Sequence, residues 1–190
     1  FTIYNALGVI ACGLSLGLPL GPIAAALEGA RGVKGRVEVV PVPAGYTVII
    51  DYAHSPDALE NILTTLRDFT PGRLICLFGC GGDRDRTKRP LMGEIAAALA
   101  DFVVVTSDNP RTDPPEAITA DILGGMGGEG APYEVVPDRR EAIRLALDRA
   151  EDGDVVLLAG KGHETTQEIG GVKHHLDERE EVAAYFAQKS

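Results

Sequence analysis

The chain has 190 residues, of which 45% are hydrophobic and 24% are charged. This composition is typical of a globular protein with one well-formed core and room for a small appendage. The formal net charge of −10 argues against a general nucleic-acid or anionic-membrane surface, because such surfaces need a basic excess. Any anionic ligand must therefore be held by a local cluster of arginines.

Cysteine usage favours a protein of a reducing compartment, and hydropathy indicates no membrane span. The three cysteines, Cys12, Cys76 and Cys80, are odd in number, and two lie in or beside apolar runs, which is typical of free thiols in a reducing compartment. No other Cys/His pair accompanies Cys76 and Cys80, so we expect no metal site there. We recognise no signal peptide and no apolar run of about 18 residues, and expect no membrane insertion.

The first 33 residues differ in composition from the rest. The segment 6–27 is rich in Ala, Gly and Leu and is broken at "GLPLGP", which predicts two short buried helices. The polar, glycine-rich "RGVKGR" (31–36) is a plausible domain boundary. Because the chain starts at Phe1 within an apparent helix, we expect it to be part of a longer protein.

Strand patterns begin after this boundary. The β-branched runs at 37–42 and 46–51 predict a hairpin. Continuous apolar runs, typical of strands buried on both faces of a parallel sheet, end at 51 and occupy 74–78, 102–106 and 154–159, with a weaker candidate at 133–136.

Helical patterns alternate with these strands. The apolar spacing predicts helices over 57–69, 88–100, 114–126, 138–150 and 177–188. Asp138 followed by Glu141 resembles a capping box at the start of the fourth helix. Strand–helix alternation of this kind predicts an α/β fold, a three-layer Rossmann-like domain with a mostly parallel sheet.

A polar motif follows each of the four strongest apolar runs: "DYAHSPD" (51–57), "GCGGDRD" (79–85), "SDNPR" (107–111) and "GKGHE" (160–164). Each motif alone is weak, since "DNPR" is also a good type I turn with a solvated arginine. Neither glycine-rich motif matches a dinucleotide or phosphate-loop pattern. The carboxyl ends of parallel strands share one sheet edge, so we expect the motifs to converge there into one site.

The groups in these motifs suit a zwitterionic amino acid. Arg84 and Arg111 can each bind a carboxylate through two parallel hydrogen bonds. Asn109 offers a donor and an acceptor, Glu164 can accept from an ammonium group, and Gly160 allows close approach of a ligand to the backbone.

Five of the segments, in their order and spacing, resemble the C-terminal part of the Mur ligases: "GRVEVV" (35–40), "DYAHSPDAL" (51–59), "GCGGDRDRTKRPLMG" (79–93), "SDNPRTDPP" (107–115) and "GKGHE" (160–164). "FTIYNALGVIA" (1–11) resembles the closing helices of that family's central ATPase domain. The resemblance implies that 1–33 closes the central ATP-binding domain and that 34–190 is the C-terminal amino-acid-binding domain.

The family resemblance implies an ATP-dependent amide-bond ligase of peptidoglycan precursor synthesis in the cytoplasm. ATP phosphorylates the terminal carboxylate of a UDP-MurNAc-peptide, and the amine of the incoming amino acid attacks the acyl phosphate. "DNPR" marks the members that add meso-diaminopimelate to UDP-MurNAc-L-Ala-D-Glu. Carried over by motif, the residues expected to bind meso-diaminopimelate are Arg84, Asp108, Asn109, Pro110, Arg111, Gly160 and Glu164.

The same resemblance implies part of a nucleotide site. Asn5 and Arg36 match family positions near the adenine and the phosphates, and Asp51 and His54 match positions near the ribose and base. The family's phosphate loop, Mg²⁺ ligands and carbamylated lysine belong to N-terminal and central domains that these residues do not include. We therefore expect no catalytic residue here, no turnover by this chain alone, and the remaining domains as its partners.

Other interpretations remain open. The chain could belong to a lysine-adding Mur ligase or to a ligase like folylpolyglutamate synthetase, although the arginines Arg84 and Arg111 favour a diamino-dicarboxylate. It could also act as a non-catalytic ligand-binding module.

Overall fold

The computed structural model describes residues 2–30, 32–128 and 130–189. The chain divides into two compact units, Phe1–Val33 and Lys34–Ser190.

The N-terminal unit is a pair of helices, α1 (Thr2–Ser15) and α2 (Leu20–Glu28), joined through Gly17 at a φ of 79°. The two helices were predicted, but their predicted burial is wrong. In α2 only Ile23 is buried, and many large apolar side chains are exposed: Ile3, Tyr4, Leu7, Val9, Leu14, Leu16, Leu18 and Leu20. Two short helices rich in Gly and Ala present too little surface to cover each other's apolar faces.

The larger unit is built on a six-stranded sheet of order β1-β2-β6-β3-β4-β5. Its strands are β1 (Glu38–Val40), β2 (Thr47–Asp51), β3 (Leu74–Phe78), β4 (Phe102–Val105), β5 (Tyr133–Val135) and β6 (Val155–Ala159). β1 pairs antiparallel with β2, and all the other pairs are parallel. A separate antiparallel hairpin joins β7 (Thr166–Ile169) to β8 (Val172–His175). The predicted α/β class and mostly parallel sheet are confirmed.

Helices cover both faces of this sheet. They are α3 (Pro56–Arg67), α4 (Lys88–Leu99), α5 (Pro115–Leu123), α6 (Arg139–Arg149) and α7 (Glu178–Lys189). Side chains from α3, α4 and α5 pack with Cys76 and Phe78 in one core cluster. Side chains from α6 and α7 pack with Ile75 and Leu77 in the other. Alternate residues of β3 thus point into different clusters, which makes three layers and explains why every residue of the strand is buried.

None of the helices in the described ranges is both long enough and apolar enough to cross a membrane.

The cap of α6 provides a test of local stability. The carboxylate of Asp138 accepts hydrogen bonds from the backbone N–H groups of Arg140 at 2.8 Å and Glu141 at 3.1 Å. We expect Asp138→Ala to lower the free energy of unfolding by about 1 kcal/mol, because these N–H groups lose their acceptor. Urea denaturation at equilibrium measures the change. Ser55→Ala is the control. Ser55 occupies the N-cap position of α3, but among the described residues its side chain makes no capping hydrogen bond. An equal loss in both variants would contradict the assignment of the cap.

Candidate functional site

Loops from four strand ends meet at the carboxyl edge of the sheet. The N–H of Gly82, after β3, donates to the carbonyl of Asn109, after β4, at 2.9 Å. The N–H of Gly160, after β6, donates to the carbonyl of Asp51, at the end of β2, at 3.0 Å. The Asn109 amide nitrogen also reaches Glu164 Oε2 at 2.9 Å. The predicted convergence of the four motifs therefore occurs.

Asn109 and Glu164 lie at the centre of a partly buried polar cluster. Asn109 Oδ1 accepts hydrogen bonds from Lys161 Nζ at 3.3 Å and from the N–H of Glu168 at 3.0 Å. Lys161 Nζ also lies 3.2 Å from Glu164 Oε2 and 3.7 Å from Asp108 Oδ1. The side chain of Lys161 is fully buried. We name these four residues, Asp108, Asn109, Lys161 and Glu164, the polar cluster.

Glu164 keeps its negative charge in this setting. Burial acts to raise the pKa of its carboxyl, but the hydrogen bond from Asn109 and the charge of Lys161 together hold that pKa below its ordinary value. Tyr52 lies beside the same carboxylate, and burial together with the charges of Glu164 and Asp108 raises the pKa of its phenol. The cluster therefore presents an anionic acceptor at neutral pH.

Asp108 shapes the floor of the site. It is 8% exposed, and its Oδ1 has no hydrogen-bond partner among the described residues. Its carbonyl accepts from Gln167 Nε2 at 2.8 Å. Gly160 lies against it with a φ of 112°, a conformation open to glycine, and a Cβ there would lie 3.8 Å from Asp108 Cγ. Pro110, also buried, carries the loop onward to Arg111.

The backbone of Arg111 is held by the β7–β8 hairpin. Its N–H donates to the carbonyl of Glu168 at 3.0 Å, and its carbonyl accepts from Gly170 at 2.7 Å. The residue has a φ of 52°, in the left-handed region that few side chains occupy. Its Nη1 donates to the carbonyl of Gly82 at 2.8 Å, and its side chain is 23% exposed. The Gly82 carbonyl thus holds the guanidinium at Nη1, and its Nε lies 3.8 Å from Glu168 Oε2, with part of the side chain left exposed.

Arg84 lies near Arg111 across a glycine. A Cβ on Gly81 would lie 2.9 Å from Arg111 Nη1 and 3.7 Å from Arg84 Cγ, so both arginine side chains flank Gly81. Arg84 is exposed and makes one long hydrogen bond to the carbonyl of Asp83, at 3.4 Å. Two guanidinium-bearing residues therefore border the same side of the site.

A buried arginine that the sequence did not single out supports these loops. Arg89, in the first turn of α4, is fully buried and donates to Asp113 Oδ2 at 2.6 Å, Asp121 Oδ2 at 2.8 Å and the Gly81 carbonyl at 3.3 Å. Its hydrogen bond lowers the pKa of the Asp113 carboxyl. One signal was available: Arg89 shares a helical stripe with buried Met92.

The four predicted nucleotide-binding residues belong to different elements of the chain. Asp51 is buried, and its two oxygens accept the N–H groups of Val37 and Ala53, each at 2.8 Å. His54 is exposed, with its ring 4.6 Å from that of Tyr52.

Arg36 and Asn5 complete that set. The guanidinium of Arg36 lies over the Tyr52 ring, 4.8 Å from its centroid, so Arg36 and His54 border the same aromatic side chain. Asn5 is an exposed residue of α1, in the N-terminal unit. Asp51, by contrast, uses one lone pair of each carboxylate oxygen to hold the backbone around the end of β2, and a second lone pair remains on each oxygen.

The described residues contain no group of three or more His, Cys, Asp or Glu side chains arranged to hold a metal ion, so a Mg²⁺ site is not found among them. Burial raises the pKa of the Cys76 and Cys80 thiols to about 12, and both therefore stay protonated at neutral pH.

Comparison with known proteins adds to this geometry. The family profile described as "Mur ligase, glutamate ligase domain" matches residues 35–162. A protein of Synechococcus elongatus named UDP-N-acetylmuramoyl-L-alanyl-D-glutamate–2,6-diaminopimelate ligase is 54% identical over 190 residues, covering 100% of this chain and 38% of that protein. One of the same name from Thermosynechococcus vestitus is 55% identical over 184 residues, 96% of this chain and 37% of its own length.

Solved structures give the same picture. A structure of a UDP-N-acetylmuramoyl-L-alanyl-D-glutamate–2,6-diaminopimelate ligase superposes with a TM-score of 0.78 at 39% identity, covering 98% of this chain and 38% of that one. A UDP-N-acetylmuramate–alanine ligase from Thermotoga maritima gives a TM-score of 0.67 at 25% identity, covering 98% of this chain and 37% of its own. The chain thus spans less than two fifths of the length of these relatives.

Proposed function

Because the chain belongs to the Mur ligase family, we propose that it forms the amino-acid-binding part of an ATP-dependent ligase that adds meso-diaminopimelate to UDP-MurNAc-L-Ala-D-Glu. The observation that carries this proposal is the pairing, at one sheet edge, of an anionic acceptor on Glu164 with an accessible guanidinium on Arg111. Relatives that are 54% and 55% identical in sequence are named as 2,6-diaminopimelate ligases, which supports the same substrate.

The two ends of the site fit the two charges of an amino-acid group. The ligand's ammonium would contact Glu164, which Asn109 positions through its amide nitrogen, with Asp108 behind them. Its carboxylate would contact Arg111 and Arg84. The buried Pro110 and Gly160 would set the backbone close to the ligand. Lysine offers an ammonium at its far end but no second carboxylate, so Arg111 would discriminate between the two amino acids.

The proposed chemistry needs more than binding. ATP would phosphorylate the substrate carboxylate, the amine of diaminopimelate would attack the acyl phosphate, and the tetrahedral intermediate would release phosphate. This chain would hold and orient the diaminopimelate so that its free amine faces that carbonyl. UDP-MurNAc-dipeptide and the groups that transfer the phosphoryl would bind to parts of the ligase that align outside these residues.

This chain would supply part of the nucleotide site. We place Arg36, Asp51 and His54 near ATP, and Asn5 with residues 1–33 at the end of the central ATP-binding domain. Mg²⁺ would be held outside the described residues, which offer no suitable cluster. ATP and a UDP-sugar peptide are cytoplasmic metabolites, so the ligase would act in the cytoplasm.

Isothermal titration calorimetry on the 190-residue chain tests the substrate assignment. We expect saturable binding of meso-diaminopimelate and at least about tenfold weaker binding of L-lysine, because lysine leaves Arg111 without its carboxylate partner. Equal affinities would contradict the assignment and favour the lysine-adding alternative. Turnover of ATP and UDP-MurNAc-dipeptide by the chain alone would contradict the proposed division of labour.

A further inference from the structure

Lys161 is the member of the polar cluster that the proposed function does not use. It follows β6, and no part of its side chain is exposed. Its ammonium lies among three acceptors, Asn109 Oδ1 at 3.3 Å, Glu164 Oε2 at 3.2 Å and Asp108 Oδ1 at 3.7 Å. Of these three, Glu164 is the group that the proposed function assigns to the incoming ammonium.

The charge balance of the cluster depends on this lysine. Asp108 and Glu164 both lie within 4 Å of Lys161 Nζ, at the distances given above. Without a cation between them, the carboxylates of Asp108 and Glu164 would repel each other across the site. With Lys161 present, the three charged groups sum to one negative charge, which matches one substrate ammonium.

The orientation of Asn109 also depends on it. Lys161 and the N–H of Glu168 donate to Oδ1, so the amide can only place Nδ2 toward Glu164. Glu164 in turn receives both Lys161 and Asn109 on the same oxygen, Oε2. Loss of the ammonium would therefore leave the amide oxygen held by the N–H of Glu168 without Lys161, which weakens the restraint on the amide, and it would remove one of the donors that position the Glu164 carboxylate.

We propose that Lys161 is a positioning residue for the amino-acid site: its buried ammonium fixes Asn109 and Glu164 and leaves one negative charge for the substrate's ammonium. This inference rests on the proposed function for its substrate, but the ordering of Asn109 does not depend on any ligand.

Chemical rescue tests the role of the charge. We expect Lys161→Ala to bind meso-diaminopimelate about 10–100-fold more weakly than the wild-type chain, by analogy with residues that orient the direct ligands of a metal ion. Propylammonium, which replaces the missing stem and charge, should restore much of the affinity, whereas propanol should not. Lys173→Ala, a change at an exposed lysine of β8, is the matched control and should bind normally. Affinity within twofold of wild type, or a loss that propylammonium leaves unchanged, would overturn the proposal.

A second variant covers the case in which the alanine variant does not fold. Lys161→Met keeps the buried stem without the charge, and the side-chain amide of Asn109 can be followed by ¹⁵N NMR in the ligand-free chain. We expect two well-separated, slowly exchanging N–H signals in the wild type, and faster exchange with a change in shift in Lys161→Met. Unchanged signals would refute the positioning role. If the wild-type chain binds no diaminopimelate while the Asn109 signals still depend on Lys161, the proposed substrate fails and the positioning role stands.

Discussion

Replacing Arg139 with methionine is expected to lower the free energy of unfolding by about 3–5 kcal/mol, the range for breaking a buried ion pair by removing one partner. Arg139 begins α6, and its side chain and that of Glu178 are both fully buried. Its Nε and Nη2 donate to Glu178 Oε1 at 2.9 and 2.7 Å. Nη1 and Nη2 also donate to the carbonyls of Ser107 at 3.2 Å and Ala159 at 2.8 Å. The variant would leave a buried carboxylate and two carbonyls without their donor.

Equilibrium urea denaturation of the chain measures this loss. Arg144→Met, at an exposed arginine on the same helix, is the control and should change the stability by no more than about 0.5 kcal/mol. The double variant Arg139→Met/Glu178→Met removes both charges and should recover part of the loss, since no unpaired buried charge remains. A double variant as unstable as Arg139→Met would show that packing, rather than the unpaired charge, causes the effect.

Arg111→Ala is expected to weaken binding of meso-diaminopimelate by about 2 kcal/mol or more, roughly 30-fold, while changing the affinity for L-lysine little. The reason is the proposed contact with the second carboxylate, which lysine lacks. The ratio of the two affinities is the informative quantity. If the lost hydrogen bond to the Gly82 carbonyl weakens the binding of both amino acids equally, the ratio of their affinities does not change.

Calorimetry with both amino acids gives this ratio. Arg111→Lys keeps the charge but not the paired donors, so its discrimination should fall between wild type and alanine. Arg86→Ala is the control, because Arg86 is exposed in the neighbouring loop and pairs with Asp121. A parallel loss of both ligands in Arg111→Ala would exclude a role in specificity.

Much of this fold could be predicted because its local patterns agree with its tertiary contacts. The continuous apolar runs identified the parallel strands, and polar motifs directly after them located the site edge. The strand order could not be predicted, because β6 lies between β2 and β3 through pairings far apart in sequence. No local pattern records which strand will be the neighbour of which.

The residues that sequence reasoning missed share one property. Arg89, Arg139 and Lys161 are all fully buried cations. A lysine or arginine is almost always at the surface unless it is paired, and its partners here lie far along the chain or in loops. The sequence motifs predicted candidate ligand contacts, but not the buried cations that hydrogen-bond to these side chains and loops. The N-terminal helices illustrate the opposite error: their apolar composition predicts burial, but the described residues of their own unit leave many of their large apolar side chains exposed.

The left-handed backbone at Arg111 limits how selection could alter this position. A φ of 52° suits glycine, asparagine and aspartate, whereas valine, isoleucine and threonine would be strained there. We expect glycine, asparagine or aspartate at position 111 to keep the backbone bridge between this residue and Ile169 of the β7–β8 hairpin. β-Branched residues at position 111 would disturb that bridge. A saturation library at Arg111 should therefore yield folded proteins in an uneven set, with small polar residues enriched and β-branched residues depleted even when no ligand is present. Backbone geometry would then restrict the set of specificities that single substitutions can reach.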